Sequence, residues 1–148
     1  MKPLTIKERD EQAGEIFRKV FHKKPKSNMD VIEMSKEGIS KASLMNFVRF
    51  LNFSPDQVAR MLPITLRTIQ RYSRKQKFNP TVSEHIIQLV FLVGRGIEVF
   101  GSREKFMSWF NSPSKALGGN VPSGLVSLKT GAQMVMEELG RIEYGVYA

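Results

Sequence analysis

A chain of 148 residues is long enough for one ordinary domain, or for two small lobes that share a core, without disulfides or metals. It has no cysteine, which excludes disulfides, thiolate nucleophiles and thiolate metal sites, and its formal net charge is +9. The positive excess lies in residues 1–78, which hold 17 Lys and Arg against 8 Asp and Glu, whereas residues 79–148 hold 6 basic and 6 acidic residues. We therefore expect a polyanion to bind the first half and a different partner to bind the second.

The sequence contains no segment typical of export or membrane insertion. Charged side chains are spread through residues 1–20, where a secretory signal needs an apolar run. The most apolar stretch, HIIQLVFLVG at residues 85–94, is too short to span a bilayer. The lack of cysteine also fits a reducing compartment. We therefore expect a cytoplasmic protein that acts without a membrane.

Apolar residues at helical spacing recur along the sequence, and no segment alternates like a strand, so the predicted fold is an all-α helical bundle. A short helix and a basic linker, HKKPKSN, are expected within residues 1–28. The next helix is predicted to have Asp30 as its N-cap and to end at Gly38. We expect three units: this N-terminal segment, a first helical domain at residues 29–93 and a smaller one at residues 94–148.

Residues 55–74 have the pattern of a helix-turn-helix, two short helices joined by a tight turn. Ala59 is small enough to let the second helix cross closely over the first, and Ile69 lies on the inner side of that second helix. Thr65 is placed to cap the second helix. Pro63 stands where this motif commonly has glycine, and because proline holds φ negative, the turn must differ from the usual left-handed one.

The second helix of this motif is predicted to turn a basic face outward. Its apolar residues point inward on a helical wheel, while three arginines and a glutamine share the outer face. Arginine can bind guanine edges or phosphates, and glutamine can bind adenine. With the helix N-terminus and the following lysine included, the predicted DNA-binding residues are Thr65, Arg67, Gln70, Arg71, Arg74 and Lys75. A solvated basic face is the alternative interpretation of this pattern.

The second half is also predicted to be helical. A long apolar helix is expected from about Glu84 to Phe100, ended by Gly101, and Ser102 then opens a shorter helix. A segment rich in Pro, Gly and Ser follows and is predicted to be a loop. The last helix is predicted to begin at Thr130, which forms a T-x-x-Q capping box with the glutamine three residues later.

The residue types that catalysis needs are present but not grouped. The two histidines, His22 and His85, are far apart in the sequence, and the glycine pair in ALGG lacks the lysine and the preceding strand of a phosphate loop. Glu137 and Glu138 are neighbours on a helix, where adjacent positions do not face each other, and we expect both to be solvated. We therefore expect no enzymatic activity, no metal site and no cofactor.

From about residue 98 onward, the sequence resembles the toxin-binding domain of the Xre/MbcA/ParS antitoxins. The resemblance rests on a Trp-bearing helix, an Asn/Pro turn, an ALGG loop, a proline that opens a short helix and the ending RIEYGVYA, in that order. The matching residues are Trp109, Asn111, Pro113, Ala116, Leu117, Gly118, Gly119, Pro122, Thr130, Gly131, Arg141, Ile142, Glu143, Gly145, Tyr147 and Ala148. The region from about residue 38 resembles the helix-turn-helix half of the same family. The adjacent Thr130-Gly131 pair and Pro63 depart from its usual pattern.

This resemblance implies a type II antitoxin, which binds a toxin encoded beside it. Toxins of this kind commonly carry a RES domain that consumes NAD, or are related ADP-ribosyltransferases, and the antitoxin covers their active-site cleft sterically. The Xre-like half implies a homodimer and, in many members, binding to operator DNA with autoregulation of the operon. The toxin-binding residues that the resemblance implies are Leu117, Gly118, Gly119, Arg141, Glu143, Tyr144, Tyr147 and Ala148.

Further expectations concern packing at the C-terminal end. Phe106 and Trp109 are expected in the core, and the two glycines of ALGG are expected to let a backbone pack closely. The tail GVYA would carry an aromatic side chain into a partner's cleft, with plain packing of the chain end as the alternative. A different class of function also stays open: a stand-alone helix-turn-helix transcription regulator whose C-terminal lobe serves only for dimerisation.

Overall fold

The computed structural model describes residues 11–145, which form a bundle of α-helices. The helices are α1 Glu11–Ile16, α2 Asn28–Glu37, α3 Lys41–Leu51, α4 Pro55–Ala59, α5 Leu66–Arg71, α6 Pro80–Phe100, α7 Arg103–Phe110 and α8 Lys129–Glu143. A π-helical turn, Phe17–Phe21, continues α1, and two 3₁₀ turns, Lys115–Leu117 and Pro122–Gly124, lie between α7 and α8. Two isolated backbone bridges are the only extended pairings in this range, so the all-α prediction is confirmed.

Helix α6 forms the centre of the bundle. Eleven of its 21 residues are buried, and α1, α2, α7 and α8 all pack against it. It begins earlier than the sequence indicates, because Asn79 accepts a hydrogen bond from the Val82 N–H at 2.9 Å and Pro80 takes the first helical position, where no N–H is needed. The helix runs without a break through residues 93 and 94, where the two halves are expected to meet.

Two glycines on α6 let neighbouring helices approach its backbone. A Cβ on Gly94 would lie 2.5 Å from the nitrogen of Ala13 in α1, and a Cβ on Gly96 would lie 2.1 Å from the ring of Phe106 in α7. Both distances are far below van der Waals contact, so a side chain at either position would push the bundle apart. Phe106 is fully buried, as predicted, whereas Trp109 is only partly buried and packs at the edge of the core.

Two helix starts differ from the prediction. Helix α2 is capped by Ser27, whose hydroxyl accepts a hydrogen bond from the Asp30 N–H at 3.1 Å. Asp30 is therefore inside the first turn, and its carboxylate turns back to accept the Lys26 N–H at 2.8 Å. Helix α8 begins at Lys129, and no side chain in the described part of the chain caps it, so the predicted T-x-x-Q capping box does not form.

Close backbone packing, and not a capping side chain, determines where α8 begins. A Cβ on Gly131 would lie 1.8 Å from the carbonyl oxygen of Leu125, so the chain that leaves the second 3₁₀ turn lies directly on the first turn of the helix. No side chain fits between them. Gly131, one of the residues that carry the family resemblance, is therefore required by sterics.

No single helix among residues 11–145 combines the length and the hydropathy of a membrane span. Helices α6 and α7 meet that test of length and composition only when taken together, and they are bent by 112° relative to each other.

Candidate nucleic-acid interface and partner-binding surface

Helices α4 and α5 form the predicted helix-turn-helix pair. Helix α4 begins with a capping box, in which the Ser54 hydroxyl accepts from the Gln57 N–H at 3.2 Å and the Gln57 side chain accepts from the Ser54 N–H at 2.8 Å. Ala59 is 6% exposed and Ile69 is 3% exposed, so both lie on the inner faces, as predicted.

The turn between these helices is built without a left-handed residue. Within residues 11–145, the only non-glycine residues with positive φ are His22 and Asn52. Instead, the Met61 N–H donates to the Val58 carbonyl at 2.9 Å, which continues α4 as a tighter helical turn. Pro63 is exposed in this segment and is not among the residues with positive φ, as the proline ring requires.

Helix α5 presents the predicted basic face. The Thr65 hydroxyl caps the helix by accepting a hydrogen bond from the Thr68 N–H at 3.2 Å. Arg67, Gln70 and Arg71 are all exposed, and none of these side chains forms an ion pair with another residue in the described range 11–145. These three side chains can therefore reach an outside ligand, which is what a recognition helix requires.

Arg74 and Lys75 do not lie on this helix, although Arg74 was predicted on its outer face. Helix α5 ends at Arg71, and Tyr72 is already extended at φ −73° and ψ 139°. The cause is packing: the ring of Tyr72 stacks on the buried ring of Phe78, 4.9 Å away between centroids, and this contact draws the chain out of the helix. Residues 73–77, which we name the basic loop, follow as a separate exposed segment.

His85 connects the helix-turn-helix to the C-terminal half. Its Nε2 atom lies 2.9 Å from the Met61 carbonyl oxygen, in the turn after α4, and 2.8 Å from the Val126 carbonyl oxygen, before α8. Because both neighbours are acceptors, Nε2 must carry a proton and donate to them. His85 is therefore satisfied within the chain, and its contacts give it a structural role.

The ALGG loop contains one buried anchor and two exposed glycines. Leu117 is 3% exposed and so holds the loop to the core. Gly118 and Gly119 have φ values of +68° and +81°, in the left-handed region that favours glycine. A Cβ on Gly119 would meet no atom of residues 11–145 within 4 Å, so close backbone packing is the wrong explanation for this pair. The glycines are needed for a turn, which the Gly119 N–H closes on the Ser114 carbonyl at 2.8 Å.

Salt bridges fix the end of α8. Glu143 accepts from the Arg95 guanidinium of α6 at 3.0 Å, and both side chains are about 15% exposed. Glu138 is 1% exposed and lies 3.4 Å from the Nε atom of Arg141. The expectation that Glu138 is solvated is therefore wrong, whereas Glu137 is exposed as expected. Burial follows from the position of Glu138 next to the inward stripe that includes Leu139.

The residues that the resemblance assigns to toxin binding therefore differ in their exposure to solvent. Gly118, Gly119 and Arg141 are exposed, and the Tyr144 side chain is 50% exposed at the end of α8. Leu117 is buried, and Glu143 is paired within the chain. Tyr147 and Ala148 lie outside the described residues.

Comparisons with known proteins agree with both halves of this architecture. Residues 30–90 match the antitoxin Xre-like helix-turn-helix domain, and residues 95–145 match the antitoxin Xre/MbcA/ParS C-terminal toxin-binding domain. A relative named Antitoxin Xre from Yersinia enterocolitica serotype O:8 / biotype 1B is 27% identical over 120 residues, which cover 80% of this chain and 81% of the relative. Another Antitoxin Xre, from Photorhabdus laumondii subsp. laumondii, is 28% identical over 112 residues, which cover 74% and 76% of the two chains.

Two helical domains of one antitoxin family thus occur side by side in one bundle. The chain belongs to the Xre/MbcA/ParS family of antitoxins.

Some contacts that shape these surfaces have no local signal in the sequence. The Lys41 ammonium group donates to the Tyr72 carbonyl at 2.9 Å, across 31 positions, and lies 3.4 Å from the Gln70 carbonyl. It thereby satisfies carbonyl groups at the C-terminal end of α5. Arg95 and Glu143 are also distant in sequence. The burial of Glu138 could have been found, because Glu138 lies three residues after Val135 and next to Leu139, which are both on the apolar stripe of α8.

Proposed function

We propose that this chain is the antitoxin of a type II toxin–antitoxin pair whose toxin is of the RES type and consumes NAD, or is a related ADP-ribosylating enzyme. The observation that carries the proposal is the match of residues 95–145 to the toxin-binding domain of the family. The antitoxin would act by steric cover of the toxin's active-site cleft and would need no chemistry or cofactor of its own. Both proposed partners, toxin and operator DNA, place its action in the cytoplasm.

The proposed toxin-binding surface is the exposed C-terminal end of the bundle. It comprises the loop at Gly118 and Gly119, Arg141 in the last turn of α8 and Tyr144 just after that helix. The tail residues Tyr147 and Ala148, which lie outside the described residues, are proposed to contribute as well. Half-exposed aromatic side chains are common energetic anchors of interfaces, which supports Tyr144 as a contact. Leu117 and Glu143 would act indirectly, by holding the ALGG loop and the last turn of α8 in place.

The proposed DNA contact is α5, through Thr65, Arg67, Gln70 and Arg71. The exposed cations of this helix lie in a sequence interval, between Asp56 and Glu84, that contains no acid. We propose that two copies of the chain bind the operator of their own operon as a homodimer, with two recognition helices at half-site spacing.

Co-expression with the product of the neighbouring gene tests the toxin assignment. The full-length chain should restore growth and cellular NAD, and the Tyr144→Ala variant and a chain that ends at Gly145 should restore them less. Truncation before Lys129 is unsuitable, because it removes Val135 and Leu139, which are 0% exposed in the core.

Met29→Ala is the matched control, since Met29 is an exposed apolar side chain on α2, in the other half of the chain. It should restore growth and NAD as well as the wild type does. If the full-length chain restores neither growth nor NAD, the NAD-consuming toxin is the wrong partner. If it restores both, and the Tyr144→Ala and shortened chains do so equally well, the proposed surface is wrong.

A further inference from the structure

The basic loop, residues 73–77, has a fixed shape. The Gln76 N–H donates to the Ser73 carbonyl at 3.1 Å, and the Ser73 N–H in turn lies 3.4 Å from the Gln76 side-chain oxygen. The stacked rings of Tyr72 and Phe78 close the loop at its two ends, and Phe78 is 2% exposed. A loop anchored to the core on both sides holds its side chains at defined positions.

The segment that leads into α3 holds the same loop from the side. The N–H groups of Lys41 and Ala42 donate to the carbonyl oxygens of Gln76 and Arg74, respectively, each at 2.9 Å. The Phe78 N–H donates to the Ile39 carbonyl oxygen, also at 2.9 Å. The Lys41 side chain also donates to the Tyr72 carbonyl at the start of the loop. Because this backbone is already ordered, binding a ligand here requires little further loss of conformational entropy.

Three cations of this fixed loop have no counter-charge among residues 11–145. Arg74, Lys75 and Lys77 are exposed, and none forms an ion pair with another residue in the part of the chain that the structure describes. Like charges this close together repel one another, so the arrangement does not serve the stability of the isolated chain. It would become favourable when a polyanion is bound.

We propose that the basic loop is a second DNA-binding element, in which Arg74, Lys75 and Lys77 bind phosphates of the duplex backbone. The proposal rests on the DNA binding proposed for α5. It adds Lys77 to the DNA contacts and assigns Arg74 and Lys75 to phosphate binding from a separate element. The N-terminal residues of a recognition helix contact base edges, so the chain beyond its C-terminal end lies over the flanking backbone. Phosphate contacts of this kind position the protein and carry no sequence information.

Salt dependence of DNA binding distinguishes these roles. The triple variant Arg74→Gln, Lys75→Gln, Lys77→Gln removes three charges and keeps most of each aliphatic stem. The matched control is Lys105→Gln, Lys115→Gln, Lys129→Gln, which removes three exposed charges from the C-terminal half. The probes are a duplex from immediately upstream of the chain's own gene and a scrambled duplex of equal length and composition, each titrated at several salt concentrations.

The loop variant should bind both duplexes more weakly and by the same factor, and the slope of log affinity against log salt should fall in magnitude by about 2 to 3. The control variant should keep the wild-type slope. Arg67→Ala should instead lower the preference for the upstream duplex, because α5 is the element proposed to contact bases.

Two other results would overturn the inference. If the wild-type chain binds the upstream duplex and the loop variant keeps the wild-type slope, the loop does not contact phosphates, and DNA binding by α5 stands. If the wild-type chain itself binds neither duplex in a salt-dependent manner, the DNA-binding function fails and the inference about the loop fails with it. Thermal unfolding of each variant shows whether it remains folded during these measurements.

Discussion

Replacing Gly131 by alanine should destabilise the C-terminal half by steric conflict at one place. The new Cβ would lie 1.8 Å from the Leu125 carbonyl oxygen and 2.7 Å from its carbonyl carbon. Real Cβ atoms essentially never approach closer than 3.0 Å, so the two backbones would have to separate by more than 1 Å at this point. Both conflicting atoms belong to the backbone, so no side chain can rotate away to relieve the contact.

The expected size of the effect follows from two opposing terms. Overpacking of this kind costs about 3 kcal/mol, at the upper end of its usual range. Alanine is better than glycine inside a helix by about 1 kcal/mol, which offsets part of that cost. The net destabilisation is therefore about 2 kcal/mol, which for a chain of this size lowers Tm by about 4–8 °C.

Gly140 provides a matched control on the same helix. Within the described range 11–145, a Cβ at Gly140 would meet only the Arg95 guanidinium, at an ordinary 3.5 Å, so Gly140→Ala should gain helix propensity and raise Tm. Thermal unfolding followed by circular dichroism should be measured for both variants and the wild type, and the three values of Tm compared. If Gly131→Ala unfolds at or above the wild-type temperature, the proposed close contact between the 3₁₀ turn and α8 is wrong.

Three other substitutions probe contacts that cross the bundle. Arg95→Met leaves Glu143 without its cation in a site that is about 15% exposed. It should lower the free energy of unfolding by about 1–3 kcal/mol, measured by thermal unfolding, and should weaken toxin binding, measured by titration with the toxin. His85→Phe removes the donor shared by two backbone carbonyls and should cost about 1–3 kcal/mol, with a smaller loss in His85→Gln, which retains an N–H donor. Lys41→Met leaves carbonyl groups at the end of α5 without their donor, so DNA affinity should fall. Lys36→Met removes one exposed charge elsewhere, and the loss of DNA affinity in Lys41→Met should be larger than in this control.

Local signals in the sequence predicted most of the helices, whereas contacts between distant residues were not predictable. Thr65 and Ser102 cap their helices as expected, because a cap depends on residues only three positions away. The early end of α5 escaped prediction, since it depends on the stacking of Tyr72 and Phe78 and on a lysine that precedes the motif. Arg74 was accordingly assigned to the wrong element.

The glycines show the same division. Those of ALGG were correctly expected in a turn, but their need for positive φ was mistaken for a need for space. The closest approaches occur at Gly94, Gly96 and Gly131, each against a residue from another element. A single sequence shows where a glycine is, and only the packing shows whether it serves a turn or a contact.

The arrangement of the two halves limits how toxin binding could affect DNA binding. Helix α6 runs through both halves and is buried on either side of their expected boundary, with Val93 at 0% and Ile97 at 8% exposure. Further contacts join the halves, among them the bond from Arg103 to the Phe50 carbonyl at 2.7 Å and the bond from His85 to the Val126 carbonyl at 2.8 Å. A hinge at this boundary would have to break α6 and expose its core residues to water. A bound toxin is therefore expected to alter operator affinity through steric access or through the arrangement of antitoxin copies, and not by bending one half against the other.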